Sequence, residues 1–195
     1  PEKFVNIVRL FHDGMEARVK DNGQYSRPFP VTNGVKQGCV LAPTLFSMLF
    51  SAMLTDAFSG EDVGIALRSR TDGGFYKPQR LKADTKVMLD ILRDLLFADD
   101  CALCASSQGE MQRMVDLFAK ACQNFGLTIS IPKTEVLFQP APGEPHSEPH
   151  ISINGQKLGN TDKFSYLGST MSNTATIDDE ISLRLRSEEH TSELQ

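Results

Sequence analysis

The chain has 195 residues, with 20 lysines and arginines against 25 aspartates and glutamates, and a formal net charge of −5. Its 40% hydrophobic and 23% charged residues are ordinary for a globular domain, which excludes disordered, collagen-like and disulfide-scaffold proteins. No apolar run approaches the ~20 residues that a membrane-spanning helix requires, and four cysteines in a chain of this length favour a reducing compartment. The chain opens PEKFVN, without a start methionine or an apolar leader, which indicates a piece of a longer protein.

The N-terminal residues predict a helix followed by a hairpin. Apolar residues recur at helical spacing over residues 1–13, and Gly14 is expected to end that helix. Asn22-Gly23 lies between two alternating runs, which is typical of a tight hairpin turn. We expect Pro28 and Pro30 to break the pairing of this hairpin, because proline has no backbone N–H to donate.

A long apolar helix is predicted for Thr44 to Phe58, and an inserted segment follows at 61–93. Six basic residues lie between Arg68 and Lys86, against only two acidic ones. A basic island in an acidic chain is a candidate phosphate-contact surface. A solvated hairpin, with a strand at 65–68, a turn at 71–74 and a basic return arm, explains the same residues equally well.

The rest of the chain predicts short strands around one amphipathic helix. Residues 94–105 predict two apolar strands around an acidic turn, and Ser107 with Glu110 predicts a capping box before a helix that ends at Gly126. Further segments are predicted as strands at 127–131, 135–138 and 164–168, a Pro-rich linker or surface loop at 139–150 and a hairpin at 151–158. This order predicts an α+β fold in which helices cover one face of a sheet.

The last ten residues, RSEEHTSELQ (186–195), have no periodicity and no turn chemistry. They are the in-frame translation of a widely used sequencing-library adapter. A native acidic tail with this sequence would be a chance match over the whole segment. We therefore treat residues 186–195 as non-native and leave them out of the fold.

The strongest chemical signal is the pair Asp99-Asp100 between two apolar runs. Adjacent carboxylates raise each other's pKa unless a cation joins them, and hard carboxylate oxygens select Mg²⁺ or Mn²⁺. In a two-metal site such carboxylates hold the ions that activate an attacking hydroxyl and stabilise the leaving group. A polar hairpin turn is the other interpretation of this dipeptide.

Three other features carry weaker signals. The glycines around Gln37 in GVKQGCVLAP (34–43) permit close backbone approach before the apolar helix, so this segment is a nucleotide contact or simply a connecting loop. Lys133, at a strand turn, is a candidate proton donor or a surface lysine. Cys101-x-x-Cys104 with His146 and His150 could bind zinc, but the spacing is too long for a finger, and small core cysteines are the better interpretation.

Taken in order, these segments resemble the palm of reverse transcriptases, above all those of jockey-like non-LTR retrotransposons of the long interspersed element class. GVKQGCVLAPTLF resembles the family's motif B, LLFADDCAL its motif C, FGLTISIPKTEVLF its motif D and FSYLGSTMS its motif E. The resemblance covers nearly all of residues 1–185. It implies a right-hand polymerase palm, an antiparallel sheet with helices packed on one face, truncated at both ends.

The resemblance also implies a role for each matching residue. Asp99 and Asp100 are expected to hold Mg²⁺ or Mn²⁺ and to be catalytic, and Lys133 to give a proton to the leaving pyrophosphate. The remaining expected contacts are Gln37, Gly38 and Phe97 with nucleotide and template, and Tyr166, Leu167 and Gly168 as the primer grip. The implied substrates are dNTPs, an RNA template and a DNA primer or nicked target, with no membrane partner.

The resemblance divides the chain into five segments. The palm with motifs B to D covers 1–138 and includes the insert at 61–93. It is followed by a Pro-rich loop at 139–150, the motif E region at 151–175, the start of a thumb-side helix at 176–185 and the adapter tail at 186–195. The family's endonuclease, fingers and most of its thumb are not in this sequence. An intracellular protein is implied, with activity in the nucleus and a ribonucleoprotein in the cytoplasm.

One departure concerns the third catalytic carboxylate. The family's motif A lies just upstream of the segment that resembles Pro1–Phe11, so its aspartate is not in this sequence. We therefore expect that this polypeptide alone does not polymerise. A decayed or domesticated copy that keeps only the palm fold as a binding module is the alternative function. A group II intron-like reverse transcriptase is a further possibility, which the insert at 61–93 disfavours.

Overall fold

A computed structural model of the chain describes residues 1–36, 38–70, 87–141, 143–145, 147–178 and 180–185. The chain divides into two compact units, Pro1–Ser47 and Met48–Gln195. In the described part of the chain, no helix is both long and apolar enough to span a membrane. The segment boundaries that the family resemblance implies stay predictions.

The first unit opens with helix α1 (Glu2–His12), as predicted, and Gly14 follows it with φ +68. A β ribbon comes next, with strands β1 (Glu16–Ala17), β2 (Lys20–Asp21), β3 (Gln24–Tyr25) and β4 (Phe29–Pro30). Asn22 and Gly23 both have positive φ, which is the type I′ turn expected of Asn-Gly.

The prediction that Pro28 and Pro30 break this ribbon is confirmed for Pro28, which lies in the unpaired residues 26–28, and is wrong for Pro30. Strand β4 contains Pro30 and pairs with β1, where Pro30 lies opposite Glu16. The ribbon has two strands, so each strand is an edge strand, and proline is tolerated where its missing N–H faces away from the partner.

Helix α2 (Ala42–Phe58) begins two residues before the predicted start, and Gly60 follows it with φ +78. In the second unit, α2 contributes the buried side chains of Met53 and Phe58. The thiol of Cys122, on the helix described below, donates to Met53 Sδ at 3.6 Å. This contact joins α2 to the interior of the unit.

Two hairpins follow α2. The first pairs β5 (Ile65–Arg70) with β6 (Val87–Leu92), and the second pairs β7 (Asp94–Phe97) with β8 (Asp100–Leu103). The predicted strands at 65–68 and on both sides of the acidic turn are confirmed. The predicted turn at 71–74 and the basic return arm to Lys86 lie outside the described residues.

Helix α3 (Gln108–Asn124) begins with Ser107 as its N-cap, one half of the predicted capping box, and ends at the predicted glycine. The Ser107 hydroxyl accepts a hydrogen bond from the Glu110 N–H at 3.2 Å, which satisfies one free donor of the first turn. At the other end, Gly126 has φ +70, and the N–H of Leu127 donates to the Cys122 carbonyl at 2.8 Å, as in a Schellman motif.

The C-terminal part consists of short strands. They are β9 (Glu135–Leu137), β10 (Ser152–Ile153), β11 (Gln156–Lys157), β12 (Gly159–Thr161), β13 (Lys163–Tyr166) and β14 (Ser169–Ser172), and residues 178 and 180–185 are helical. The strand predicted at 127–131 is wrong, because 127–130 pair with no strand and Ile131–Lys133 form a 3-10 turn. Leu167 and Gly168, predicted as strand, form the positive-φ turn of the β13–β14 hairpin.

A core cluster joins α3 to the C-terminal strands. Its buried members are Val115 on α3 and Ile151, Ile153 and Leu158 around the β10–β11 hairpin. Leu103 of β8 packs against the same cluster, which anchors the second hairpin. The apolar side of α3 therefore faces the core, where Met114 has no exposed surface.

The mixed α+β class is confirmed. In the part of the chain that is described, the strands form seven two-stranded ladders, and the single sheet predicted from the sequence is not formed among them. In five of these ladders the two strands are consecutive in the chain and pair antiparallel. Each of these strands has two to six residues. The ladder between β9 and β12 is parallel, which none of the local turns predicts.

Candidate active site

The acidic pair lies at the tip of the β7–β8 hairpin. Phe97 pairs directly with Asp100, so Ala98 and Asp99 are the two central residues of the turn. Ala98 has φ +51, and Asp99 is not among the positive-φ residues, which matches a type II′ hairpin turn. The predicted acidic turn is therefore confirmed, with Asp99 in the turn and Asp100 at the start of β8.

The hairpin is buried toward its base and exposed at its tip. Ala102 is buried, and Leu96, Cys101 and Leu103 are half-buried, with Leu103 packed against the core cluster. Because side chains alternate along a strand, Phe97 and its cross-strand partner Asp100 share one face with Ala102. The Phe97 side chain is 61% exposed, so an aromatic ring and a carboxylate stand side by side on open surface.

Both carboxylates of the turn are exposed. Among the described residues, neither Asp99 nor Asp100 receives a hydrogen bond or an ion pair from another side chain. Two adjacent hard-oxygen donors without a cation suit a divalent ion such as Mg²⁺ or Mn²⁺. No cluster of three or more potential metal ligands occurs in the described ranges, so such an ion would need further oxygen ligands from water or substrate.

Tyr166, at the end of β13, lies within electrostatic range of the acidic turn. The pKa of its phenol is raised by loss of solvent and then by the charges of Cys101 and Asp100. Tyr166 is half-buried, and Leu167 beside it is 55% exposed at the tip of the β13–β14 hairpin.

The other predicted site residues are placed individually. Gly38 is exposed with φ +80 shortly before α2, whereas Gln37 lies outside the described residues. Lys133 is exposed at the end of the 3-10 turn. In the described part of the chain, no hydrogen bond or ion pair connects Lys133 to the acidic turn.

The cysteine pair does not resemble a metal site. Burial, with a smaller effect from Asp94, raises the pKa of the Cys101 thiol to about 12. The pKa of Cys104 is raised by the same two causes in the same order. Both side chains are half-buried in the second hairpin and the segment that follows it. His146, the proposed zinc partner, lies outside the described residues.

Sequence reasoning missed the group that holds the base of the acidic hairpin. The Arg93 side chain donates from Nη1 to the Phe58 carbonyl at 3.0 Å, and its guanidinium carbon lies 5.5 Å from the centroid of the Phe58 ring. Arg93 Nε is 3.7 Å from Asp94 Oδ1, within ion-pair range but too far for a hydrogen bond. In the sequence, the feature that could have indicated this role of Arg93 is the charged pair Arg93-Asp94 between two apolar runs.

A second contact between distant parts of the chain joins Glu110 of α3 to Gly64, which precedes β5. The Gly64 N–H donates to Glu110 Oε1 at 2.6 Å, and the Ser106 N–H donates to Oε2 at 2.8 Å. The Ser106 hydroxyl donates back to the Gly64 carbonyl at 3.2 Å. Glu110 was predicted to close a local capping box on Ser107, and instead its carboxylate ties the start of α3 to the base of β5.

Ala98→Gly is expected to stabilise the second unit by about 0.5–1 kcal/mol, because a Cβ is unfavourable at positive φ. The matched control is Ala66→Gly in exposed strand β5, which should destabilise by about the same amount. Urea unfolding measures both. A lower unfolding midpoint for Ala98→Gly would contradict the left-handed turn geometry.

Comparisons with known proteins agree with these features. Residues 2–171 match the sequence profile of the family described as reverse transcriptase (RNA-dependent DNA polymerase). The chain is also 28% identical over 181 residues to the RNA-directed DNA polymerase from mobile element jockey of Drosophila melanogaster. That similarity covers 90% of this chain and 17% of the relative, so the chain spans a small part of the relative's length.

Proposed function

This chain belongs to the reverse transcriptase family, and from that premise we propose that it is part of the palm of an RNA-directed DNA polymerase from a non-LTR retrotransposon. The reaction is nucleotidyl transfer from dNTPs to a DNA 3′ end on an RNA template. The observation that carries the proposal is the hairpin tip at which Asp99 and Asp100 present two unpaired carboxylates beside an exposed aromatic ring.

The acidic turn supplies the proposed metal ligands, Asp99 as the main ligand and Asp100 as the second. Bound Mg²⁺ or Mn²⁺ supplies charge stabilisation for a phosphoryl transfer. Packing of Leu103 on the core cluster supports the base of the hairpin that carries the two carboxylates.

The other family positions have proposed binding roles. Phe97, on the same face as Asp100, contacts the nucleotide or the primer end through its exposed ring. Tyr166, Leu167 and Gly168, at the exposed end of the β13–β14 hairpin, hold the primer. Gln37 and Gly38 contact nucleotide and template, and Lys133 is the proposed proton donor to pyrophosphate.

Replacing both ligands with asparagine, Asp99→Asn with Asp100→Asn, is expected to weaken Mn²⁺ binding at least tenfold, because neutral amides attract a divalent cation less than carboxylates do. Isothermal titration with Mn²⁺ measures the affinity. The control is Asp116→Asn on exposed α3, which should leave binding unchanged. Equal Mn²⁺ affinity in the double variant and the wild type would reject the metal assignment and favour a binding module that keeps only the palm fold.

We also propose that this chain alone does not extend a primer, because two carboxylates bind the catalytic ions weakly without the third that the family supplies. Incubation with a primed RNA template, dNTPs and Mg²⁺ tests this, and no extension product is expected. A full-length element polymerase serves as the positive control. Mg²⁺-dependent extension by the purified chain would overturn this part of the proposal.

A further inference from the structure

The two-residue turn of the β13–β14 hairpin determines which backbone groups of β14 point outward. Tyr166 pairs with Ser169 beside the turn, and Ser165 pairs with Thr170. The pair that flanks a two-residue turn exchanges both backbone hydrogen bonds, and the next pair exchanges none. The N–H of Thr170 therefore points away from β13, on the outer edge of β14.

The side chain of Glu180 accepts this outward N–H. Glu180 belongs to the helical residues 178 and 180–185, which we call the C-terminal helix. The Thr170 N–H donates to Glu180 Oε2 at 2.6 Å, and Arg184 Nε donates to Oε1 at 2.6 Å. These hydrogen bonds, that of Thr170 first, lower the pKa of Glu180. The acceptor is therefore a charged carboxylate at neutral pH, which strengthens both hydrogen bonds.

A second contact attaches the start of the C-terminal helix to β14. Ser172, the last residue of β14, is buried, and its hydroxyl donates to the Thr176 carbonyl at 3.2 Å. The Ser172 carbonyl accepts from Gln139 Nε2 at 2.8 Å. The C-terminal helix is thus attached at two points along β14, at Ser172 and at Thr170.

The attachment through Glu180 is the one nearer to the turn of the hairpin. Thr170 follows Gly168 by two residues, so it moves with the turn that Leu167 and Gly168 form. A helix as short as the C-terminal helix is marginal in water by itself, so its tertiary contacts hold it in place. The angle between the turn and this helix therefore depends on the Glu180 carboxylate.

We propose that Glu180 is a positioning residue for the DNA primer, which holds the turn of the β13–β14 hairpin in place by accepting from the Thr170 N–H. This inference rests on the proposed function, in which Tyr166, Leu167 and Gly168 hold the primer. Glu180 acts through the backbone of β14 and needs no contact with the primer. It adds to the proposed site a residue that lies outside the segments resembling the family motifs.

The first measurement is hydrogen exchange of the Thr170 amide in the 195-residue chain, followed by NMR. Glu180→Ala removes the acceptor and should accelerate this exchange about tenfold. Glu180→Gln keeps one acceptor oxygen without the charge and should have a smaller effect, about threefold. Ser182→Ala is the matched control, because Ser182 is exposed on the same helix and its hydroxyl donates to the Asp178 carbonyl one turn away. Its Thr170 amide should exchange as in the wild type.

The second measurement compares binding of an RNA–DNA hybrid that has a recessed DNA 3′ end with binding of the same RNA alone. The wild type should prefer the hybrid, and Glu180→Ala should reduce this preference about tenfold while binding of RNA alone stays unchanged. A general loss of structure would weaken both, so the ratio isolates positioning of the primer. Glu180→Gln should again lie between, and it provides the same comparison if Glu180→Ala does not fold by circular dichroism.

The inference fails if Thr170 exchanges equally fast in the wild type and in Glu180→Ala. It also fails if the exchange accelerates while the preference for the hybrid is unchanged. A wild type without any preference for the hybrid would instead reject the primer role of the hairpin, and the inference with it. Mn²⁺ titration tests the acidic turn separately, because Glu180 is not one of the proposed metal ligands.

Discussion

Gly64→Ala is expected to destabilise the unit Met48–Gln195 by about 3 kcal/mol, through backbone strain and overpacking together. Gly64 has φ +125, a conformation that residues with a Cβ rarely adopt. An added Cβ would lie 2.7 Å from Ile91 Cγ2 and 2.8 Å from the Leu92 carbonyl oxygen. The second contact is with backbone, so a side-chain rotation cannot relieve it.

Urea unfolding followed by circular dichroism measures this change as a lower midpoint with a similar slope. Gly109→Ala is the matched control, because Gly109 lies in α3 and nothing is within 4 Å of its added Cβ. That control should leave stability unchanged or raise it by up to about 1 kcal/mol, since alanine favours helix over glycine. An unfolding midpoint for Gly64→Ala at or above the wild-type value would show that the β5–β6 base differs from the structure.

Glu110→Ala is expected to cost about 1–3 kcal/mol, because it removes the acceptor of one part-buried and one exposed backbone N–H group. Those donors are the N–H groups of Gly64 and Ser106, at 2.6 Å and 2.8 Å from the two carboxylate oxygens. Both are charge-assisted hydrogen bonds, which are stronger than neutral ones. The same denaturation assay measures the loss.

Glu110→Gln tests the contribution of one acceptor oxygen separately. The amide keeps one acceptor oxygen but turns an NH₂ group toward the other backbone donor, so the variant should lie between the wild type and Glu110→Ala. Asp116→Ala is the control on the same helix, since its carboxylate accepts only from the Gln112 side chain one turn away and is exposed. Equal stability of Glu110→Ala and Asp116→Ala would contradict the hydrogen bonds from Gly64 and Ser106 to the Glu110 carboxylate.

The two changes should not add. Gly64 and Glu110 share a hydrogen bond, and residues in direct contact show interaction energies of about 0.5–3 kcal/mol in double-mutant cycles. The double variant should therefore be more stable than the sum of the single effects predicts. Because Gly64 begins the insert and Glu110 begins α3, this coupling measures how firmly the insert is attached to the unit that carries the acidic turn.

Features set by neighbouring residues were predictable from the sequence. The Asn22-Gly23 turn follows from residues that tolerate positive φ, and the Ser107 cap from a hydroxyl three residues before a free N–H. The acidic turn was equally local, since Asp99 and Asp100 are consecutive between two apolar runs. The α+β class and the family also rest on such short segments in order.

Features that depend on distant residues were not predictable in this way. The carboxylate of Glu110 binds the N–H of Gly64, 46 residues earlier in the chain, although the nearer Ser107 explained its position in the sequence. The residues at 127–131 have the apolar content of a strand, but no partner strand pairs with 127–130. Strand β9 instead pairs in parallel with β12, whose first residue, Gly159, gives no strand signal.

The sequence by itself determined the helices, the Asn-Gly and acidic turns, and the chemistry of the acidic pair, because a few adjacent residues decide each of them. Only the tertiary structure decided what surrounds the pair: Tyr166 within electrostatic range, Phe97 exposed on the face of Asp100, and Arg93 against Phe58 at the base. These arrangements depend on which distant surfaces pack together. Packing is a property of the whole core, and no short window of sequence contains it.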